Sequence, residues 1–199
     1  MKALIATVAA LLMLVSTSKA ETKWVPDQAH TQVKFVVTHM VITEVSGTFK
    51  DFEFTVTQPG DDFRAAKIEA TIKTASINTE NEQRDNHLRS DDFFNAEKYP
   101  QIKFLSTGFE KTGDKTYKIT GDLTIRDVTR PVVLDAVYGG TIDDPWGNIK
   151  AGFKATGTIN RQDFGVKWNK TLDTGGLVVS DEVEIILDVQ LKQVKKGVI

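Results

Sequence analysis

Cysteine is absent from the 199 residues, which excludes disulfides, thiolate metal sites and cysteine nucleophiles together. Surplus charge is scarce too: 25 Lys and Arg against 27 Asp and Glu leave a formal −2, so no broad positive field exists to hold nucleic acid or anionic lipid. No Pro/Ser-rich linker or low-complexity tract divides the chain, and its length fits one domain with a sizeable core. A Gly-x-Ser-x-Gly elbow, a glycine-rich phosphate loop and a dinucleotide fingerprint are all missing. A metal hydrolase would need His30, His39 and His87 to converge with a carboxylate such as Asp27, yet they lack the short spacing of a zincin pair. These absences point away from an enzyme and call for no cofactor.

Long apolar runs are equally rare. The one present, Ala3 to Val15, follows Lys2 and precedes Ser18-Lys19-Ala20. It is too short to span a bilayer and reads as a secretory signal cut before Glu21. The expected organisation is therefore a signal peptide over residues 1–20 and a single domain over 21–199, exported to the periplasm and not membrane-spanning. No cysteine follows the cut, so a lipid anchor there is not expected. Loss of Lys2 and Lys19 with the leader makes the charge balance two units more negative.

What the sequence does contain is alternation. Apolar residues recur at every second position in about eight stretches, the mark of half-buried strands. Their faces carry Val33, Phe35, Val37 and His39; Val45, Gly47 and Phe49, then Phe52, Phe54 and Val56; and Ile68, Ala70 and Ile72. Next come Ile102 and Phe104; Tyr117, Ile119, Gly121, Leu123 and Ile125; and Val132, Leu134, Ala136 and Tyr138. Ile149 to Ile159 and Val183 to Leu191 complete the set. A change of frame between Phe49 and Phe52 suggests a bulge at Lys50-Asp51. Eight strands suffice to close an antiparallel barrel able to hold one small ligand. Only Glu80 to Ser90 departs from this period, with the composition of a short helix that Pro100 would help stop. We place that helix over one barrel opening, with Phe93 and Phe94 against the wall.

This helical segment also carries a family resemblance. The run Arg84-Asp85-Asn86-His87-Leu88-Arg89-Ser90-Asp91-Asp92-Phe93-Phe94, then Lys98-Tyr99-Pro100, resembles the YceI-like family of secreted bacterial proteins. Val45-Ser46-Gly47-Thr48-Phe49, Val128-Thr129-Arg130-Pro131-Val132, Asp144-Pro145-Trp146-Gly147 and Asn160-Arg161-Gln162-Asp163-Phe164-Gly165 agree with it. The resemblance implies an all-β, extended lipocalin-like barrel around a long apolar tunnel, a polyisoprenoid or other long-chain lipid as ligand, and a homodimer. Burying about twenty methylenes at ~0.8 kcal/mol each gives roughly 16 kcal/mol before entropy is subtracted. Such a tunnel binds without catalytic groups.

Residues expected to line it come from the inward faces: Val33, Phe35, Val37, Phe49, Phe52, Phe54, Phe104, Ile119, Leu123, Leu134, Phe153 and Ile185, with His39 as a polar group at a mouth. An ordinary packed core shows the same alternation, so spacing alone leaves lining and core open. Small inward residues (Ala70, Gly121, Ala136, Ala151, Ala155, Gly157) leave room along the axis or let the wall bend. The mixed charges of Arg84, Asp85, His87 and Arg89 suit ion pairs that pin the helix, and Arg161 and Asp163 suit a shaped loop. Trp146 is expected to cap a mouth or anchor a turn. Two other non-enzymatic readings fit the alternation: a filled barrel acting as an interaction module, and an outer-membrane barrel with its faces reversed.

Overall fold

The computed structural model describes residues 21–60, 62–173 and 175–195, so the expected signal peptide lies outside the described residues. Alternation becomes eleven strand segments: β1 (Glu21–Pro26), β2 (Gln32–His39), β3 (Thr43–Phe49), β4 (Phe52–Pro59), β5 (Lys67–Lys73), β6 (Ile77–Asn78), β7 (Gln101–Lys111), β8 (Thr116–Ile125), β9 (Val128–Asp143), β10 (Ile149–Asn160) and β11 (Val179–Gln193). They form one closed antiparallel barrel. The ring runs β1, β4, β5, β7, β8, β9, β10, β11 and returns to β1. In the same sheet β2, β3 and β6 prolong β1, β4 and β5, since β11 pairs β2 from His39↔Val179 to Gln32↔Asp188 and then pairs β1 at Trp24↔Gln193. Eleven segments thus make eight staves.

Three of those staves break side by side. Residues 27–31, Lys50-Asp51 and a 3-10 turn over Thr74–Ser76 interrupt neighbouring staves. Backbone bonds stitch the breaks, with the Lys50 N–H donating to Ser76 O (3.1 Å) and the Lys73 N–H to Asp51 O (2.9 Å). The frame change after Phe49 is therefore one part of a fault line through three staves, which replaces the expected isolated bulge. A second difference is β1 itself, absent from the sequence reading. Its side chains include a single buried one, Trp24, so it shows no alternation to read. Pro131 lies inside β9, paired with Asp122 on one side, beyond the last β9–β10 pair, Asp135↔Thr156. A proline is tolerated there because that edge needs no ladder donor.

Helix α1 (Glu82–Arg89) begins on Asn81, whose side-chain oxygen accepts the Arg84 N–H at 3.0 Å. It ends at Ser90, well before Pro100, because Ser90 turns extended and its N–H donates to His87 O. Pro100 is not the stop. The turns that follow drop Phe93 and Phe94 over the barrel. Two apolar clusters fill the ends of the molecule. One gathers Trp24, Phe63, Phe109, Tyr117 and Phe153, and the other Phe49, Ile77, Phe93, Phe164 and Val166, with Phe104 and Ile185 common to both.

Candidate functional site: an apolar lumen with a polar mouth

Although Phe104 and Ile185 pack against both clusters, the space the inward side chains enclose is not filled. A cavity of about 400 Å³ runs along the barrel and is lined almost wholly by apolar groups of both clusters, a volume within the roughly 300–1,000 Å³ of ligand pockets. Val33, Phe35, Val37, His39, Phe49, Phe52, Phe54, Phe104, Ile119, Leu123, Leu134, Phe153 and Ile185 all border it. A completely filled barrel is inconsistent with that space.

Glycines help keep it open, though by a different route from the one their position suggested. A Cβ on Gly47 would collide with the Phe35 ring, and one on Gly121 with the Phe104 ring. The outer ends of both rings occupy the place that a side chain at the glycine would take, so they pack into the wall. The room is used first by aromatic side chains. What remains is the lumen.

One end is plugged. Phe63, on the β4–β5 connection, sits 5.5 Å from the Trp24 ring, 5.7 Å from Tyr138 and edge-on to Phe153 at 4.9 Å. Trp24 anchors this layer by donating its Nε1–H to Gln58 Oε1 at 2.8 Å. Burial pushes the Tyr117 hydroxyl's pKa up. Phe63 and Phe109 were missed in the sequence, since Phe63 lies in a turn without period and Phe109 follows a register shift between Ser106 and Gly108. Trp146, by contrast, covers no mouth: it is 79% exposed on the β9–β10 turn at this plugged end.

At the other end the lining turns polar. Thr79, Arg84, His87 and His39 border the lumen beside Val178, Val179 and Trp168. The His87 ring is edge-on to Phe93 and Trp168, each at 5.0 Å, and its Nε2 lies 2.8 Å from Asp92 Oδ2. Pinning of α1 rests mainly on neutral partners rather than on the expected ion pairs. Arg84 donates Nε–H to Thr79 Oγ1 and Nη2–H to Thr79 O, both at 2.7 Å. Arg89 reaches Ala75 O (2.9 Å) and Ile77 O (3.2 Å). Asp85 is buried and accepts the Thr79 N–H at 2.9 Å.

Arg161 shapes the neighbouring loop. Buried beneath it, the guanidinium donates to Ser180 O (2.8 Å), Val166 O (2.6 Å) and Trp168 O (3.0 Å), with Asp181 Oδ1 at 3.2 Å. Desolvation lowers its pKa, against the pull of Asp181. Far from the mouth, Lys150 Nζ lies 2.7 Å from Asp27 Oδ2 and 3.6 Å from Asp144 Oδ2. That hydrogen bond holds the Asp27 carboxyl at about 2. It ties the break after β1 to β10.

The other readings meet the geometry less well. His30 pairs with Asp27, His87 with Asp92, and His39 ends β2. Among the described residues no group of three or more metal-binding side chains converges. Among the described residues no helix is long and apolar enough to cross a membrane. The barrel wall faces water with Lys67, Glu69, Lys103, Lys118, Asp122, Asp135 and Lys154 exposed, the reverse of a barrel whose outer band meets lipid.

A closed antiparallel barrel around an apolar lumen, polar at one mouth and plugged at the other, defines a lipocalin-like barrel protein. The chain belongs to the YceI-like family: residues 24–191 match its YceI-like domain. It is 45% identical over 166 residues to Protein YceI of Escherichia coli O157:H7, covering 83% of each chain. Among solved structures, the Campylobacter jejuni YCEI protein is 39% identical with a TM-score of 0.68, over 86% of this chain and 96% of that one. A polyisoprenoid binding domain from Saccharophagus degradans shares the fold at 12% identity and a TM-score of 0.59, over 85% of this chain and 97% of that one.

Proposed function

We propose that the protein binds a single long-chain amphiphile, an isoprenoid quinone, polyprenyl lipid or fatty-acid derivative, and sequesters or carries it through the periplasm without covalent chemistry. The observation that carries this reading is the distribution of polarity: carbon along the lumen, and Thr79, Arg84, His87 and His39 gathered at its mouth. A hydrocarbon tail entering from that end loses its contact with water, while its head group stays beside hydrogen-bond donors. The ligand named for the Saccharophagus domain supports a polyisoprenoid tail, and the apolar run after Lys2 supports export.

Ala155 supplies the test, being buried and facing the lumen. Protein purified without detergent is expected to carry a non-covalent lipid mass in native mass spectrometry, and Ala155→Phe to lose it while staying folded. If the lumen were ordinary core, the added ring would overpack it and cost about 1–3 kcal/mol. A destabilised variant together with a ligand-free wild type would refute the carrier reading.

A further inference from the structure

The turn between β2 and β3 is built against the usual preferences of a hairpin. Its central residues Met40 (φ 50°) and Val41 (φ 66°) both occupy the left-handed region, where such turns favour Asn-Gly and a β-branched residue is an outlier. The turn closes with the Ile42 N–H donating to His39 O at 3.2 Å. Its side chains point into water, with Met40, Val41 and Ile42 exposed by 42, 66 and 81%. Three consecutive apolar residues are thus displayed at a strained site.

Their position gives the strain a purpose. The Met40 N–H donates to Val178 O at 2.8 Å, and Gly176 lies against Val41. Leu177, itself exposed, stands between them. His39, Val178 and Val179 line the mouth. Apolar surface therefore continues from the lumen across Val178 and Leu177 to the turn. The exposed charges within seven residues of the turn or of Leu177 in the chain are Lys170 against Glu44, Asp173, Glu182 and Glu184, mostly acidic, so attraction to an anionic surface is not what the tip is built for.

We propose that this tip seats the mouth on a lipid bilayer, so that a hydrocarbon chain passes between membrane and lumen without crossing water. The inference rests on the lumen being a lipid-chain site. A bilayer suits the tip better than a protein partner does, because one turn and Leu177 fall far short of the roughly 800 Å² that a protein interface takes from each side, whereas apolar side chains entering the headgroup boundary need no matching surface. The rival tip at the plugged end, with Trp146 and Ile142 exposed, has no mouth beside it.

Flotation with neutral phosphatidylcholine vesicles tests this on the whole protein, alongside uptake of a fluorescent fatty acid from solution. Wild type is expected to float equally at low and high salt. The double variant Met40→Asn/Val41→Gly installs the preferred turn, so it keeps the fold, and Ile42→Asp places a charge at the tip. Each is expected to reduce partitioning about tenfold, on the order of one buried side chain, with uptake from solution unchanged and Trp146→Ser floating like wild type. Equal flotation of the tip variants, or loss in Trp146→Ser alone, would overturn the proposal. A wild type that floats but takes up no fatty acid would support the docking tip and count against the lumen reading instead.

Discussion

Asp27 shows how much a single residue is asked to do where a stave is broken. Residues 27–31 keep a single backbone bond to β11, the Asp27 N–H donating to Gln190 O at 2.8 Å, so side chains add the rest: Lys150 Nζ at 2.7 Å, His30 Nδ1 at 3.0 Å and the Gln190 amide at 3.2 Å all reach the Asp27 carboxylate. Because the Lys150 bond holds its pKa at about 2, below the ordinary 3.8, the folded state favours the ionised form. The stabilisation is complete above the ordinary carboxylate range and is lost as pH falls through about 2. A shift of this size corresponds to about 2 kcal/mol. Asp27→Asn should therefore lower stability by up to about that amount at pH 7, and urea titrations of the two proteins should converge towards pH 2. A constant difference at all pH values would show that packing, not charge, holds the break.

Elements differ in how plainly the sequence announces them, and the reason is period. Staves with one apolar face, such as β8 with Tyr117, Ile119, Leu123 and Ile125 buried, are legible because side-chain direction and burial alternate together. β1 has one buried side chain, and the Phe63 plug sits in a turn, so neither carries a period. The inward positions were legible for the same reason as the staves, but the space between them was not: a packed core would alternate identically. What opens the lumen is tertiary, the Phe35 and Phe104 rings lying on Gly47 and Gly121. The β2–β3 turn is likewise hidden, since Met-Val-Ile gives no turn signal. Left-handed geometry costs roughly 1–2 kcal/mol per non-glycine residue. Met40→Asn/Val41→Gly should therefore raise the unfolding free energy by about 1–2 kcal/mol in denaturant titration. A loss of stability there would mean that the apolar tip contributes packing within the folded chain.

Taken whole, the molecule places most of its aromatic residues in a wall and a plug, around an unfilled space of about 400 Å³. Such an arrangement forgoes the dispersion contacts that a filled core of the same size would make. The void also has a mechanical consequence. Pressure favours whichever state eliminates internal empty space, so the unfolding volume grows more negative with the void a protein contains. With about 400 Å³ between apolar walls, the unloaded protein should unfold at lower pressure than a filled barrel of its length. Occupying the lumen removes the effect in two ways, by replacing void with hydrocarbon and by stabilising the native state through mass action. High-pressure fluorescence on delipidated and fatty-acid-loaded protein separates them, because mass action shifts the midpoint alone, whereas a filled void also reduces the magnitude of the unfolding volume. A midpoint shift with an unchanged volume would mean that water already occupies the unloaded lumen, and that ligand entry proceeds by displacing water from an apolar channel.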